Sequence, residues 1–193
     1  MALSAAAHVG AQVAFAVSFA CVLRRYGPLA GLLAGAATFG ALSLVAGAIP
    51  APLAAAAAVP ALLIGPRLLA GHHATVASPR RRRRRDIAVA CAATVALVGA
   101  VLFTARLAGP TAAGAIGAFP ALSAALALLS KRQLGAQAAV RTLRGVIRGL
   151  PGYLAFCLVV SAVAAPLGTP AAVLVAFAAC LATCGVTWQS VTR

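Results

Sequence analysis

Asp86 is the only acidic residue in a chain of 193, set against 16 Lys and Arg that gather in short runs between long uncharged apolar stretches. A soluble domain spreads about 25% charged residues over its surface. Here 9% of residues are charged, 63% are hydrophobic and the mean hydropathy is +1.04. Too little polar surface exists to coat a globule in water, so the apolar stretches call for an apolar solvent. The reading is an all-α, polytopic integral membrane protein. The net charge of +15 raises nucleic acid as a partner. Nucleic-acid binders, however, display their bases on a polar, aromatic-dotted face, and these bases are confined to gaps between apolar runs. No nucleic-acid partner is expected.

A spanning helix needs about 20 mainly apolar residues. Seven segments qualify: Ala5 to Leu23, Pro28 to Ala48, Ile49 to Ala70, Ile87 to Ala105, Ala112 to Leu129, Leu150 to Ala165 and Ala171 to Trp188. The third and sixth are the least regular, so six spans is the alternative count. Pro166-Leu167-Gly168-Thr169-Pro170 supplies the turn between the last two. Met1 to Ala7 carries no Lys or Arg, and Arg24 and Arg25 follow the first apolar stretch. A cleaved leader has its charge in front, so this stretch reads as a first span with its N-terminus outside.

Lys and Arg resist translocation, and their bias across short loops sets orientation. With the N-terminus outside and seven spans, every one of the 16 basic residues except Arg106 falls on the cytoplasmic side, Arg193 included. Removing one span would put the later basic loops on the wrong side. The charge pattern thus expects seven spans with a cytoplasmic C-terminus, in a protein read as one of the inner membrane.

Arg80, Arg81, Arg82, Arg83, Arg84 and Arg85, flanked by Ser78-Pro79 and Asp86, divide the chain. Adjacent like charges repel and stay solvated. Residues 1–77 form a first membrane half of three helices, 78–86 a basic cytoplasmic loop, and 87–193 a second half of four helices with an interfacial amphipathic helix at 135–149. The run is a topology anchor, or a contact for anionic lipid head groups at about 1 kcal/mol per basic residue. In 135–149, Arg141, Arg144 and Arg148 share one arc beside an apolar face of Val140, Leu143, Ile147 and Leu150. Such a helix lies in the interface, arginines among phosphates and apolar face in acyl chains. An anionic-substrate funnel is the sharper alternative.

Arg24-Arg25-Tyr26-Gly27-Pro28 with Gly31 and Gly35 is echoed by Arg106-Leu107-Ala108-Gly109-Pro110 with Gly114 and Gly117. Three spans separate the copies, so the halves would be inverted relative to each other, as in many secondary transporters. The four-residue spacing of Gly27, Gly31 and Gly35 also allows close helix approach, and Gly114 with Gly117 reads the same way. Pro60, Pro66, Phe119-Pro120 and Pro151 are expected helix breaks, because proline removes a backbone donor. Breaks within spans mark hinges or sites, although simple kinks are the common outcome.

No predicted span holds Asp or Glu. Proton- and cation-coupled carriers usually place a carboxylate in the bilayer, and paired-carboxylate or Ser-His-Asp chemistry has no acid to use apart from Asp86. The chain is therefore not read as an enzyme, and no catalytic residue, metal or cofactor is expected. Cys180 and Cys184 stand one helical turn apart without a nearby His, Asp or Glu, which favours packing over a metal site. His8 and Gln12, also one turn apart near the outer end of the first span, face either a cavity or the wet interface.

The run Ala113-Gly114-Ala115-Ile116-Gly117-Ala118-Phe119-Pro120, followed by Gly135, Leu143-Arg144 and Gly149-Leu150-Pro151-Gly152-Tyr153, resembles the GlpM-like small bacterial inner-membrane proteins. These pair an A-G-x-x-x-x-F-P helix with a basic G-x-x-x-L-R segment. The resemblance covers about Ile87 to Trp188 and implies location and a four-helix membrane build rather than a mechanism. The first half has Thr38-Phe39-Gly40 where the second has Phe-Pro.

The expected function is that of a small permease-like or channel-like protein. The rival is a non-transporting membrane subunit or scaffold for other envelope proteins, as a homo-oligomer or with another membrane protein. A carrier predicts polar residues, Thr94, Thr104, Ser123 and Ser161 among them, converging on a midplane cavity. A subunit predicts tightly packed small residues and an outward helix face.

Overall fold

The computed structural model describes residues 2–69 and 119–192, with single helical positions between 88 and 107. The described residues are all-helical. In order they form α1 (Ala2–Ala7), α2 (Val9–Tyr26), α3 (Pro28–Ala48), α4 (Ala51–Leu68), α5 (Ala121–Leu134) and α6 (Ala136–Thr192). Four stretches among them are long and apolar enough to cross a membrane: Ala2–Tyr26, Pro28–Ala48, Ala51–Leu68 and Ala136–Thr187. The basic loop with Arg80 to Arg85, most of the expected fourth span, Gly114 and Gly117 lie outside the described residues.

The outer surface is apolar, compatible with the solvent that this composition calls for. Leu29, Leu33, Leu44, Leu53, Leu63 and Leu174 are each more than 60% exposed, on three different elements. Soluble proteins rarely leave contiguous apolar patches larger than a few hundred Å² bare. In hydrocarbon the same leucines are solvated, so the surface is compatible with a helical membrane protein.

Helix α2 is the axis of the bundle. Val9, Val13, Ala16, Ala20 and Leu23 are buried, and so are Ala11, Phe15 and Phe19, so the helix is covered on more than one face by α3, α4 and α6. Against α3 the partners run in opposite order. A Cβ on Gly31 would meet Phe19 and Leu23 at 2.8–3.0 Å, and one on Gly35 would meet Phe15 and Phe19 at 2.9–3.2 Å. The two helices are thus antiparallel, with glycines where the aromatic rings need room. Lipid provides no hydrophobic drive for such pairing, so close van der Waals contact at small residues carries it.

Three reversals are each made by one glycine in a backbone region that side chains avoid. Gly27 joins α2 to α3 at φ 91°, ψ 179°, and Gly135 joins α5 to α6 at φ 89°, ψ 176°. Gly168 divides α6 at φ 73°, ψ 159°. That region is essentially closed to residues with a Cβ. The break at Gly168 folds α6 back on itself. A Cβ on Gly152 would touch Cys180 and Cys184, whereas a straight helix would hold residues so far apart in sequence at about 40 Å. The arms 136–167 and 169–192 are therefore antiparallel neighbours.

Three expectations change. Pro151 does not open a helix; it lies well inside α6. Likewise α4 stays helical through Pro60 and into its last turn at Pro66. In apolar surroundings the freed carbonyl has no water to turn to, so the remaining backbone bonds hold the helix across the defect. Finally, the apolar arc of 135–149 is covered by protein rather than acyl chains. Val140, Leu143, Ile147 and Leu150 are buried in the common core, and α6 contacts α1, α2 and α4.

Candidate functional site

Phe119-Pro120 stands just before α5. Pro120 is non-helical at φ −81°, ψ 49°, and α5 begins only after it. The Phe119 ring stands edge-on to Phe15 at 5.8 Å and to Phe39 at 5.3 Å, and Phe15 stands edge-on to Phe19 at 5.6 Å. Perpendicular rings at these separations put a positive edge on a negative face, at about 0.5–1.5 kcal/mol per pair. The start of α5 is thereby pinned between α2 and α3. Only Phe119-Pro120 could be read from sequence; Phe15 and Phe39 became partners through the fold. Thr38, beside Phe39, is turned back on its own helix, its hydroxyl donating to the Ala34 carbonyl at 2.8 Å.

A groove of about 540 Å³ opens where α3 and α4 diverge over α2. Small residues form its floor, Gly10, Ala11 and Ala14 from α2 and Ala54, Ala58 and Gly65 from α4, while Leu42, Val45 and Ile64 line its sides. Among the described residues Ser18 is its one polar side chain, and that hydroxyl is already committed to the Ala14 carbonyl at 2.8 Å and the Phe15 carbonyl at 3.1 Å. An apolar chain or helix side fits such walls, and an ion does not.

Of the polar residues expected to converge, Ser123 and Ser161 do not line this groove. Ser161 is exposed and donates to the Leu158 carbonyl at 2.8 Å, Ser123 is half-buried at the start of α5, and Thr94 and Thr104 lie outside the described residues. His8 is buried rather than at a wet surface. It occupies the joint between α1 and α2, where Nδ1 donates to the Ser4 carbonyl at 2.6 Å. That bond fixes the proton on Nδ1 and leaves Nε2 as the second ring position.

The basic face of α6 holds Arg141, exposed, with Arg144 and Arg148 half-buried beside it. The Arg144 Nε is buried without a hydrogen-bond partner among the described residues. Close by, Ser130 and Thr142 are 2.8 Å apart. Thr142 gives its proton to the Ala138 carbonyl at 3.0 Å, so Ser130 is the donor of the bond that ties α5 to α6. Lys131 and Arg132 end α5, as Arg24 and Arg25 end α2 and Arg67 ends α4.

No family model, curated protein or solved structure matches the chain.

Proposed function

We propose that this chain is a multi-pass protein of the bacterial inner membrane that serves as a non-transporting helical subunit, seating an apolar transmembrane helix of a partner protein between α3 and α4. The supporting observation is the groove itself: small residues on the floor, leucine, valine and isoleucine on the walls, and a single serine whose proton is internally used. A carrier path would need groups that replace the hydration of a solute. This surface offers van der Waals contact instead, which is how helices associate in lipid. In the same reading the chain has seven spans with its N-terminus outside. Arg80 to Arg85, Arg141, Arg144 and Arg148 meet anionic head groups, and the second half shares the GlpM-like build.

Photo-crosslinkers placed at Ala57 and Ala61 in the groove test the assignment in native membranes. A discrete adduct to a second transmembrane polypeptide, absent from Leu33 on the far side of α3, is expected. A crosslink confined to the chain itself, or saturable solute flux in vesicles containing the chain alone, overturns it.

A permease-like or channel-like role is the second reading, favoured by the Phe119-Pro120 break wedged between α2 and α3. Broken helices of this kind form transporter sites. Here Pro120→Ala would lower flux in reconstituted vesicles without lowering the amount of folded protein; unchanged flux removes the hinge from that reading.

A further inference from the structure

The seam between the two arms of α6 gathers sulfur. Cys180 and Cys184 stand one turn apart on the second arm, and their thiols are hydrogen-bonded to each other. Both are turned toward the first arm, where Gly152 leaves the space they occupy: a Cβ there would come within 2.5 Å of the Cys184 Sγ and 3.2 Å of the Cys180 Sγ. The first arm adds a third thiol, buried Cys157, which lies near Cys180 and Tyr153. All three thiols are free.

A disulfide does not suit the pair. Residues four apart on a helix hold their Cβ atoms about 5–6 Å apart, whereas a disulfide wants about 3.8 Å. One bridging atom suits it better, since two metal–sulfur bonds of about 2.3 Å span the gap. Among the described residues no group of three or more His, Cys, Asp or Glu is arranged to hold a metal, so a tetrahedral zinc centre, which asks for four ligands, has no cage here. Soft thiolates select Cu(I) among the alternatives, and Cu(I) accepts two sulfurs.

We propose that Cys180 and Cys184 form a two-coordinate site for a soft, thiophilic cation of the Cu(I) class in this seam, with the Cys157 sulfur at its edge. On binding, both thiols release their protons to solvent and two sulfur–metal bonds form. The metal keeps its oxidation state, and the neutral dithiol becomes a site of net charge −1. The inference is independent of the role proposed for the groove, which lies on other helices.

The test is an anaerobic Cu(I) titration of the full chain in detergent against a competing chelator, in a Cys21→Ala, Cys91→Ala background. One Cu(I) per chain is expected, with near-ultraviolet sulfur-to-copper absorbance and no matching uptake of Zn(II). Cys180→Ser and Cys184→Ser should each weaken binding beyond the roughly 10–100-fold that loss of a supporting group costs, and Cys157→Ser should weaken it less. Gly152→Ala keeps every thiol yet fills the seam, so it should weaken binding with the thiol count unchanged. Undiminished affinity in the Cys180→Ser, Cys184→Ser double variant overturns the proposal. So does copper uptake that merely tracks the number of cysteines.

Discussion

At single residues, the glycines of α3 separate into two kinds. Gly31 and Gly35 lie against rings of α2, whereas Gly40 has nothing among the described residues within 4 Å of where its Cβ would stand. Gly31→Ala should destabilise the chain by about 1–3 kcal/mol, the range for forcing extra methylenes into a filled core. Gly40→Ala should be neutral or slightly stabilising, because alanine favours helix over glycine by about 1 kcal/mol. Thermal unfolding in one detergent compares them directly. Gly65 permits a sharper experiment, since its missing Cβ would lie 2.6 Å from Val13 Cγ1 and 3.3 Å from Ile147 Cγ2. Gly65→Ala should destabilise, and Val13→Ala in the same chain should recover part of the loss. Contacting pairs show coupling of about 0.5–3 kcal/mol, so purely additive effects would mean the close approach is not the cause. Glycine spacing alone could suggest the contact side of α3. It could not name Phe15, Phe19 and Leu23 as what the glycines meet, because that depends on the depth at which α2 and α3 pair.

Among the elements, boundaries were readable where backbone chemistry is local. Gly27-Pro28 and Ile49-Pro50 bracket α3, and the segment expected from Pro28 to Ala48 is the helix observed. The turn expected around Gly168 is likewise where α6 reverses. Other boundaries were not readable. Nothing in the sequence marks the joint at His8, and Gly149-Leu150-Pro151 looks like a helix start although α6 runs through it. Proline and glycine punctuate chains in water, where solvent takes up freed carbonyls; a helix inside a bundle has no such outlet. Gly168 gives the prediction at this level. Its φ of 73° and ψ of 159° make Gly168→Ala cost about 1–3 kcal/mol. The arms should splay, which would be read as faster alkylation of Cys184 by a maleimide in membranes. An unchanged labelling rate would show that the reversal does not depend on that glycine.

Over the whole molecule, composition was enough to read the helical class seen in the described residues and to call for an apolar solvent, with which the outward leucines are compatible. The candidate site was less legible. The groove arises from the divergence of α3 and α4, and the aromatic contact joins Phe119 to rings far away in sequence; neither leaves a periodic trace in one helix. Orientation offers the broadest prediction. A reporter active only in the periplasm, fused after Arg85, should be silent, and one active only in the cytoplasm should be bright. The reverse pattern would invert the seven-span arrangement and every lipid contact assigned to the arginines.

The lone glycines at 27, 135 and 168 also govern how the bundle can move. One residue reaches less than about 4 Å, so the helices on either side of each pivot cannot slide past each other lengthwise. They can only open and shut like scissor blades. Relative motion within these three hairpins is therefore a change of angle.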